Sequence, residues 1–526
     1  MGLGTGAVLL VLSFIAVFLV FGSAFATDVP DSAPLSAKTY AATSVRVTDC
    51  TPYGGDPSQD GICAHWKDGT YGPGLHVNFN DSSIGGVTVH YRYDIPCTPG
   101  NTLANDPTGY TVCPSTNQKD IYLELDCMTY QCPQPQAVYN VVNAFYQHGI
   151  LLHVQMGEVP STGSGNIGVH YCDVKRVTTA TTFSQAPCPS TQGYYESYPI
   201  LKQNFFGTVD ERSGNAAYCP LSGLPPGYSP SNANSFNCLT AKRQVFHYAM
   251  FVDYQISGAD SSGWAEVLGN DFLVSLGGFT GGTGSLDEQQ GTIMHELGHN
   301  LGLSHGGAGD LNNCKPNYLS VMNYVYMFNE TADSCRPLDY SNTALASLNE
   351  ASLSDSNIGS DQYPQGSSCQ GERKIFWSSP SGTILQSTTG VTNDWDNNGL
   401  DSNTYSLVMN NVMQSCSAST SDVTLNGFND WNFLANGNSA LGYPEPLDFR
   451  TSTNFYQTVL PESGLDSDVY TQGDNHEDYP LTHINAVPLL VTQPGTTWDG
   501  MPAVIAGIVI IAVMSGVGIW VAARRR

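Results

Sequence analysis

Charged side chains are scarce in this chain of 526 residues: they make up 12% of it, about half the roughly 25% usual for soluble domains. Cations are scarcer still, with 19 Lys and Arg against 46 Asp and Glu and a formal charge of −27. A surface so acidic excludes nucleic acid and other polyanions as partners. No internal repeat is present, which excludes solenoids and propellers. No cysteine pair stands at zinc-finger spacing from histidines. General disorder is excluded by what is abundant, 28 Tyr, 20 Phe and 7 Trp, more large apolar side chains than a disordered chain carries. The 41% hydrophobic content is enough for a sizeable core, and the length allows about two to four folded units. Ser, Thr, Asn and 54 Gly take the place of the missing charges, a composition of strands and exposed loops.

Both chain ends are apolar. Residues 1–26 end in Ala24-Phe25-Ala26, a small-x-small pattern that predicts a cleaved signal peptide, although no Lys or Arg precedes the apolar stretch. Residues 501–526 hold an uncharged run that stops at Arg524-Arg525-Arg526, which predicts a C-terminal transmembrane helix with a cytoplasmic Arg tail. The expectation is a single-pass protein at the cell surface, its ectodomain outside and the membrane its partner at the C-terminus. The 14 cysteines fall between Cys50 and Cys416, so disulfides are expected. Near-neighbour pairs would join Cys97 to Cys113, Cys127 to Cys132, Cys172 to Cys188, Cys219 to Cys238 and Cys314 to Cys335. Asn80 and Asn329 head glycosylation triplets.

Between the ends, residues 27–116 form a Gly- and Pro-rich region containing Cys, a candidate propeptide. From Lys119 the texture is that of an α/β layer: a strand over Asp120–Leu125, a helix over Pro133–His148, and a strand over Ile150–Met156. A Cys-bearing insertion (157–241) follows, then strands over Val245–Val252, Gly263–Val267 and Asp271–Leu276. Ser285 opens a further helix, with Glu288 completing a capping box. Residues 441–500 read as a stalk.

That last helix carries His295-Glu296-Leu297-Gly298-His299-Asn300-Leu301-Gly302-Leu303-Ser304-His305. Histidines at i and i+4 share a helical face, so both imidazoles can reach one zinc ion. Gly302 permits a positive-φ turn that brings His305 round as a third ligand. Glu296 lies beside the first ligand, placed as a general base rather than a ligand. Fixing three His, a Glu and a Gly within eleven positions is a far more specific signal than HExxH alone.

The eleven-residue motif, with Ser320-Val321-Met322-Asn323-Tyr324 seventeen residues on, resembles the metzincin clan of zinc peptidases. The resemblance extends to Lys119–Leu125, Asn313–Tyr324, Leu338–Ser341 and Leu425–Trp431, which look like secreted bacterial and archaeal metzincin-like metallopeptidases. It implies a catalytic domain over 117–440 with a twisted mixed sheet, an active-site helix and a lower subdomain built on the methionine turn. Met322 would form the apolar floor beneath the zinc. Tyr324 matches a tyrosine that in some branches binds zinc and then stabilises the tetrahedral intermediate. The strand near Gly263–Val267 would be the sheet edge that pairs with substrate, and the insertion could wall the cleft.

The function implied is membrane-anchored, extracellular, zinc-dependent endopeptidase activity on protein or peptide substrates, with Glu296 as general base. Two alternatives are a catalytically silent surface or adhesion ectodomain and a zinc amidase acting on cell-wall peptides. A second metal candidate is Asp394-Trp-Asp396-Asn-Asn398-Gly399, with oxygen ligands spaced as in a calcium loop but Tyr405 rather than Glu at the twelfth position. An Asx-rich turn explains the same residues. An acidic habitat would suit the composition, because partly protonated carboxylates leave a real charge smaller in magnitude than −27; it would also compete with zinc for the histidines.

Overall fold

The structure, a computed structural model, describes residues 49–436 apart from 82–88, 129, 158–172, 176–194, 214–218, 220–237, 254–260, 266, 268, 329–332, 367–368, 413–415 and 417–423. A short helix α1 (Ala64–Lys67) precedes an antiparallel hairpin, β1 (Gly74–Asp81) with β2 (Val89–Pro96). Next come β3 (Lys119–Cys127), α2 (Pro135–Gln147) and β4 (Ile150–Met156), close to the spans read from the sequence. The insertion contributes a parallel pair, β5 (Asp173–Lys175) with β6 (Tyr195–Ser197), then α3 (Tyr198–Phe205) and α4 (Val209–Ser213). Strands β7 (Phe246–Val252), β8 (Gly263–Ala265) and β9 (Asp271–Ser275) lead to helix α5 (Leu286–Asn300).

Five of these strands form one mixed sheet in the order β4-β3-β7-β9-β8. The first four run parallel, and β8 lies antiparallel to β9 at the edge. The period of two along a strand divides the side chains between two cores. From β3, Ile121, Leu123 and Leu125 join Val138, Val142 and Phe145 of α2 and Met294 and Leu297 of α5 in one apolar cluster. Tyr122 points the other way, with Tyr248 and Met250 of β7, into a cluster shared with Phe79 and Tyr93 of the hairpin and Tyr198 and Leu201 of α3. The sheet therefore has a helical face, which carries the metal candidates, and a second face covered by the N-terminal region and the insertion.

That second face buries charge. Asp120, Glu124 and Asp126 stand on it beside Tyr122; lysines meet the first two, and the Tyr248 hydroxyl donates to Asp126. Lys242 pairs with Glu124 at 2.7 Å and Glu211 at 2.8 Å, while Lys67 is bound by Asp60 and Asp120. Burial pushes the Lys242 ammonium down, but Glu124 and Glu211 outweigh it and hold it above the ordinary lysine range. Lys202 of α3 pairs with Asp271, and the Tyr198 hydroxyl donates to the carbonyls of Tyr248 and Phe272. The described part of the insertion thus packs on the side of the sheet away from α5. The expected cleft wall is not among these contacts.

After α5 come a short helix α6 (Tyr324–Met327) and small antiparallel pairs. These are β10 (Leu348–Asn349), β11 (Ser356–Asn357), β12 (Lys374–Ser378), β13 (Ile384–Thr388), β14 (Thr392–Asn393) and β15 (Thr424–Leu425), followed by helix α7 (Asp430–Asn436). Six disulfides brace the described residues. Cys97–Cys113, Cys127–Cys132 and Cys219–Cys238 pair as expected. Cys50–Cys63 is an added near-neighbour bridge. Cys314 does not pair with Cys335: it joins Cys416, and Cys335 joins Cys369. The Cys172–Cys188 pair and Asn329 lie outside the described residues.

The mixed α/β, disulfide-braced architecture stands, but the expected C-terminal membrane helix requires correction. Among the described residues no helix is long and apolar enough to cross a membrane. The longest of them, α5, has 15 residues and carries Asp, Glu, Gln and His, whereas a span needs about 20 consecutive apolar ones. The run 501–526 on which the expectation rested lies outside the described residues, as do the signal peptide 1–26 and the stalk 441–500. The transmembrane reading, the membrane as partner and the single-pass cell-surface placement are accordingly not carried further.

Candidate metal centre

Helix α5 begins as the sequence predicts. The Ser285 side chain accepts from the Glu288 amide, and the Glu288 carboxylate accepts in return from the Ser285 amide. Its end is a Schellman motif: Leu303 N–H donates to Gly298 O and Gly302 N–H to His299 O, both at 2.9 Å, with Gly302 at φ +94°. This left-handed residue reverses the chain and returns His305 to the helix. Lys315 holds that returning loop, its ammonium donating to Gly306 O and Asn426 O and pairing with Asp310.

The three imidazoles meet as a result. One nitrogen from each of His295, His299 and His305 lies within 4.8 Å of the other two, and the Nε2 atoms of His295 and His299 are 3.1 Å apart. Two of the remaining nitrogens are anchored by backbone: His295 Nδ1 faces Val321 O and His299 Nδ1 faces Leu303 O, each at 2.7 Å. A carbonyl can only accept, so both rings carry their proton on Nδ1 and turn a lone pair inward on Nε2. Two lone pairs at that separation repel unless a cation lies between them, and ligand nitrogens of a tetrahedral zinc stand about 3.3 Å apart. The donor set therefore fits a divalent metal ion. His299 and His305 keep 7% and 8% exposure while His295 has none, which leaves an approach from one side.

Beneath the triad runs the 318–328 segment. A Cβ on Gly298 would press into the Met322 sulfur and stand 3.0 Å from the Tyr340 hydroxyl; one on Gly291 would lie 2.5 Å from Met327 O. Glycine inside a helix costs about 1 kcal/mol relative to Ala, and here the loss is what lets the floor approach. Met322 is fully buried, as its expected role requires. Tyr324 lies near the triad, its ring tilted against that of His305 with centroids 4.7 Å apart, and Asn313 Oδ1 accepts from its amide at 3.0 Å. Below the floor lies Asp430, which accepts from Tyr318, Ser320 and the Ser341 amide at 2.6–3.0 Å. Burial pushes the Asp430 carboxyl up to about 6 against those hydrogen bonds.

Glu296 is buried with its side chain against the edge strand: a Cβ on Gly263 would stand 2.8 Å from Glu296 Cγ and 2.7 Å from Cδ. Sequence reading singled out neither Gly263, Gly298, Asn313 nor Asp430. Each lies inside a stretch the sequence marks only as a whole: Gly263 in the edge strand, Gly298 in the histidine motif, and Asn313 and Asp430 in the stretches of resemblance.

The second candidate is assembled differently from its expectation. Asp394 and Asp396 come together with Asp355, which was not foreseen, and the three carboxylates are close enough to hold a metal ion. Asn398 meets that group as a donor rather than as a further oxygen ligand: its amide nitrogen donates to Asp396 Oδ2 at 2.8 Å, and its backbone N–H to Asp394. Asp394 also accepts from the Gly399 amide, and Asp355 from Trp395 N, Asp401 N and the Tyr405 hydroxyl. This is the hydrogen bonding of the Asx-rich turn.

What stands is a buried histidine triad able to take a divalent ion and, later in the chain, a group of three carboxylates close enough to hold one. A metal centre alone does not specify zinc, calcium or peptide hydrolysis, and with no membrane helix among the described residues the expected membrane-anchored endopeptidase is corrected to this coarser description. Comparison with protein-family models, with curated proteins and with solved structures finds no match to this chain.

Proposed function

We propose that the chain is a zinc metallopeptidase of metzincin type, hydrolysing peptide bonds at the His295, His299 and His305 triad. The observation that carries this reading is the pairing of two features: the anchored rings of His295 and His299 with their Nε2 atoms facing each other, and Glu296, the residue after His295 on the same helix, with its side chain at the edge strand. Three neutral imidazoles suit zinc among the metals that nitrogen donors select, and leave it a coordination position for reactants. A zinc ion held there supplies Lewis acidity, polarising a carbonyl and making water more acidic.

The protein's own residues account for the remaining steps. Glu296 accepts the proton of the attacking water and returns it to the departing amine. Tyr324, beside His305, is the side chain placed to donate a hydrogen bond to the developing oxyanion. Met322 and the carbonyls of Val321 and Leu303 keep the imidazoles oriented, so little reorganisation accompanies reaction. Strand β8, antiparallel at the sheet edge next to Glu296, offers main-chain groups to an extended substrate.

The test is cleavage of unfolded casein by the zinc-loaded full chain, with and without chelator. Glu296→Gln is expected to retain its zinc while losing on the order of 10³-fold in rate, within the range for a general base. His299→Ala is expected to lose the zinc. A zinc-loaded wild type that cleaves nothing in a broad peptide library would overturn the proposal.

A further inference from the structure

We propose that Gly263, on the edge strand, is a positioning residue that sets where the Glu296 carboxylate lies; this rests on the reading of Glu296 as general base. Gly263 needs no left-handed conformation, since it sits within the extended strand β8 paired to Val274. Its backbone would tolerate any residue, and the requirement is one of space.

The space it leaves is filled by Glu296. A Cβ there would come within 2.8 Å of Glu296 Cγ, 2.7 Å of Cδ and closer still to Oε1. Ordinary contact is about 3.5 Å, so one methyl group demands a shift of roughly 1 Å along most of the side chain. The strand cannot readily give way instead. Ser275 N–H donates to Ser262 O at 2.7 Å, Ser275 Oγ to Ser261 O at 2.8 Å, and Ser261 Oγ to Gly263 O at 3.1 Å. Behind it, Trp264 is buried against Tyr198 of α3. Helix α5 is pinned below by Met322 and Tyr340 at Gly298. Between two fixed elements the carboxylate is the part that moves, and a misplacement of about 1 Å in a reacting group costs on the order of 100-fold.

The test is a double-mutant cycle of Gly263→Ala with Glu296→Asp, whose carboxylate is one methylene shorter and withdraws from the added Cβ. Zinc content, melting temperature, kcat and KM for one peptide are measured on wild type, both single variants and the double variant. Gly263→Ala is expected to keep its zinc and lose about 100-fold in kcat with a smaller change in KM. On the Glu296→Asp background the same substitution should cost no more than about 3-fold, a coupling that independent sites do not show.

If Gly263→Ala fails to fold but the double variant folds with zinc, the steric pairing is supported; failure of both to fold overturns it. An active wild type with multiplicative losses in the cycle, or an unchanged kcat in Gly263→Ala, overturns this inference alone. A zinc-loaded wild type that cleaves no peptide overturns it together with the proposed function.

Discussion

The histidine triad and the Asp355, Asp394 and Asp396 group are the same size and meet the same distance requirement, yet they are built in opposite ways. In His295 and His299 of the triad, the backbone takes up Nδ1 and leaves the two Nε2 atoms facing each other. In the carboxylate group, the oxygens that would be needed are the ones already engaged. Both oxygens of Asp394 and both of Asp355 accept hydrogen bonds. Charge is compensated differently too: the imidazoles are neutral ligands, whereas three carboxylates repel one another, and burial and Asp394 together hold the Asp396 carboxyl above its ordinary range. Proximity of donor atoms is therefore a weak criterion for a metal site. What separates the two groups is which of their atoms the rest of the fold has engaged elsewhere.

The largest expected effect tests that contrast directly. His295→Ala should remove bound zinc and all hydrolysis, while Asp394→Asn should leave zinc content and turnover within about 2-fold of wild type, as expected of distant independent sites. Metal analysis and peptide cleavage on the two variants decide it; equal zinc loss in both would erase the distinction.

A smaller effect concerns Asp430, a carboxylate engaged as fully as Asp394 but buried under the floor of the triad. Its folded pKa of about 6 lies above the roughly 3.9 of an unfolded Asp, so protonation favours the folded state. Its stabilising contribution is complete below about pH 4 and is lost as pH rises through about 6, a swing of about 2–3 kcal/mol. Asp430→Asn should flatten the dependence of unfolding free energy on pH across that window, measured by denaturant titration. An unchanged slope would show that the hydrogen bonds from Tyr318, Ser320 and Ser341, not burial, govern this carboxyl.

Gly298→Ala should destabilise by about 1–3 kcal/mol, the usual cost of overpacking, and weaken zinc retention against a chelator, because the added methyl pushes Met322 away. The smallest expected effect is that of calcium. With most oxygens of the Asp group already accepting, millimolar calcium should stabilise the wild type by less than about 1 kcal/mol, the scale of a weak site. A larger shift, lost in Asp394→Asn, would reverse the comparison.

The parts of this molecule that were legible in the sequence are those encoded over short separations. The capping box, the histidine spacing and the turn at Gly302 each fit within one element or its end, and the structure keeps them. What escaped is carried by contacts between distant segments. Gly263 matters because of Glu296, Gly298 because of Met322, and Asp430 because of residues 110 positions earlier, such as Ser320. The cysteine pairing failed for the same reason: Cys335 is nearest to Cys314 along the chain, but the fold presents Cys416 to it. The insertion, expected as a cleft wall, is instead carried to the other face of the sheet by Lys202, which meets Asp271, since a buried Lys reads in sequence as a surface one.

The Cys314–Cys416 bridge spans 102 residues, and this has a consequence for the order in which the protein can mature. Every metal-binding and catalytic side chain proposed here has been synthesised by residue 324. The segment beneath them is tethered by Cys416 and held by Asp430, each about a hundred residues later on the ribosome. Closing so long a loop removes roughly 4–5 kcal/mol of unfolded-chain entropy on the loop model, so the nascent chain carries a complete motif well before it has a stable site. Fragments cut short of residue 430 would retain the whole sequence signature and lack the support that makes it a metal centre.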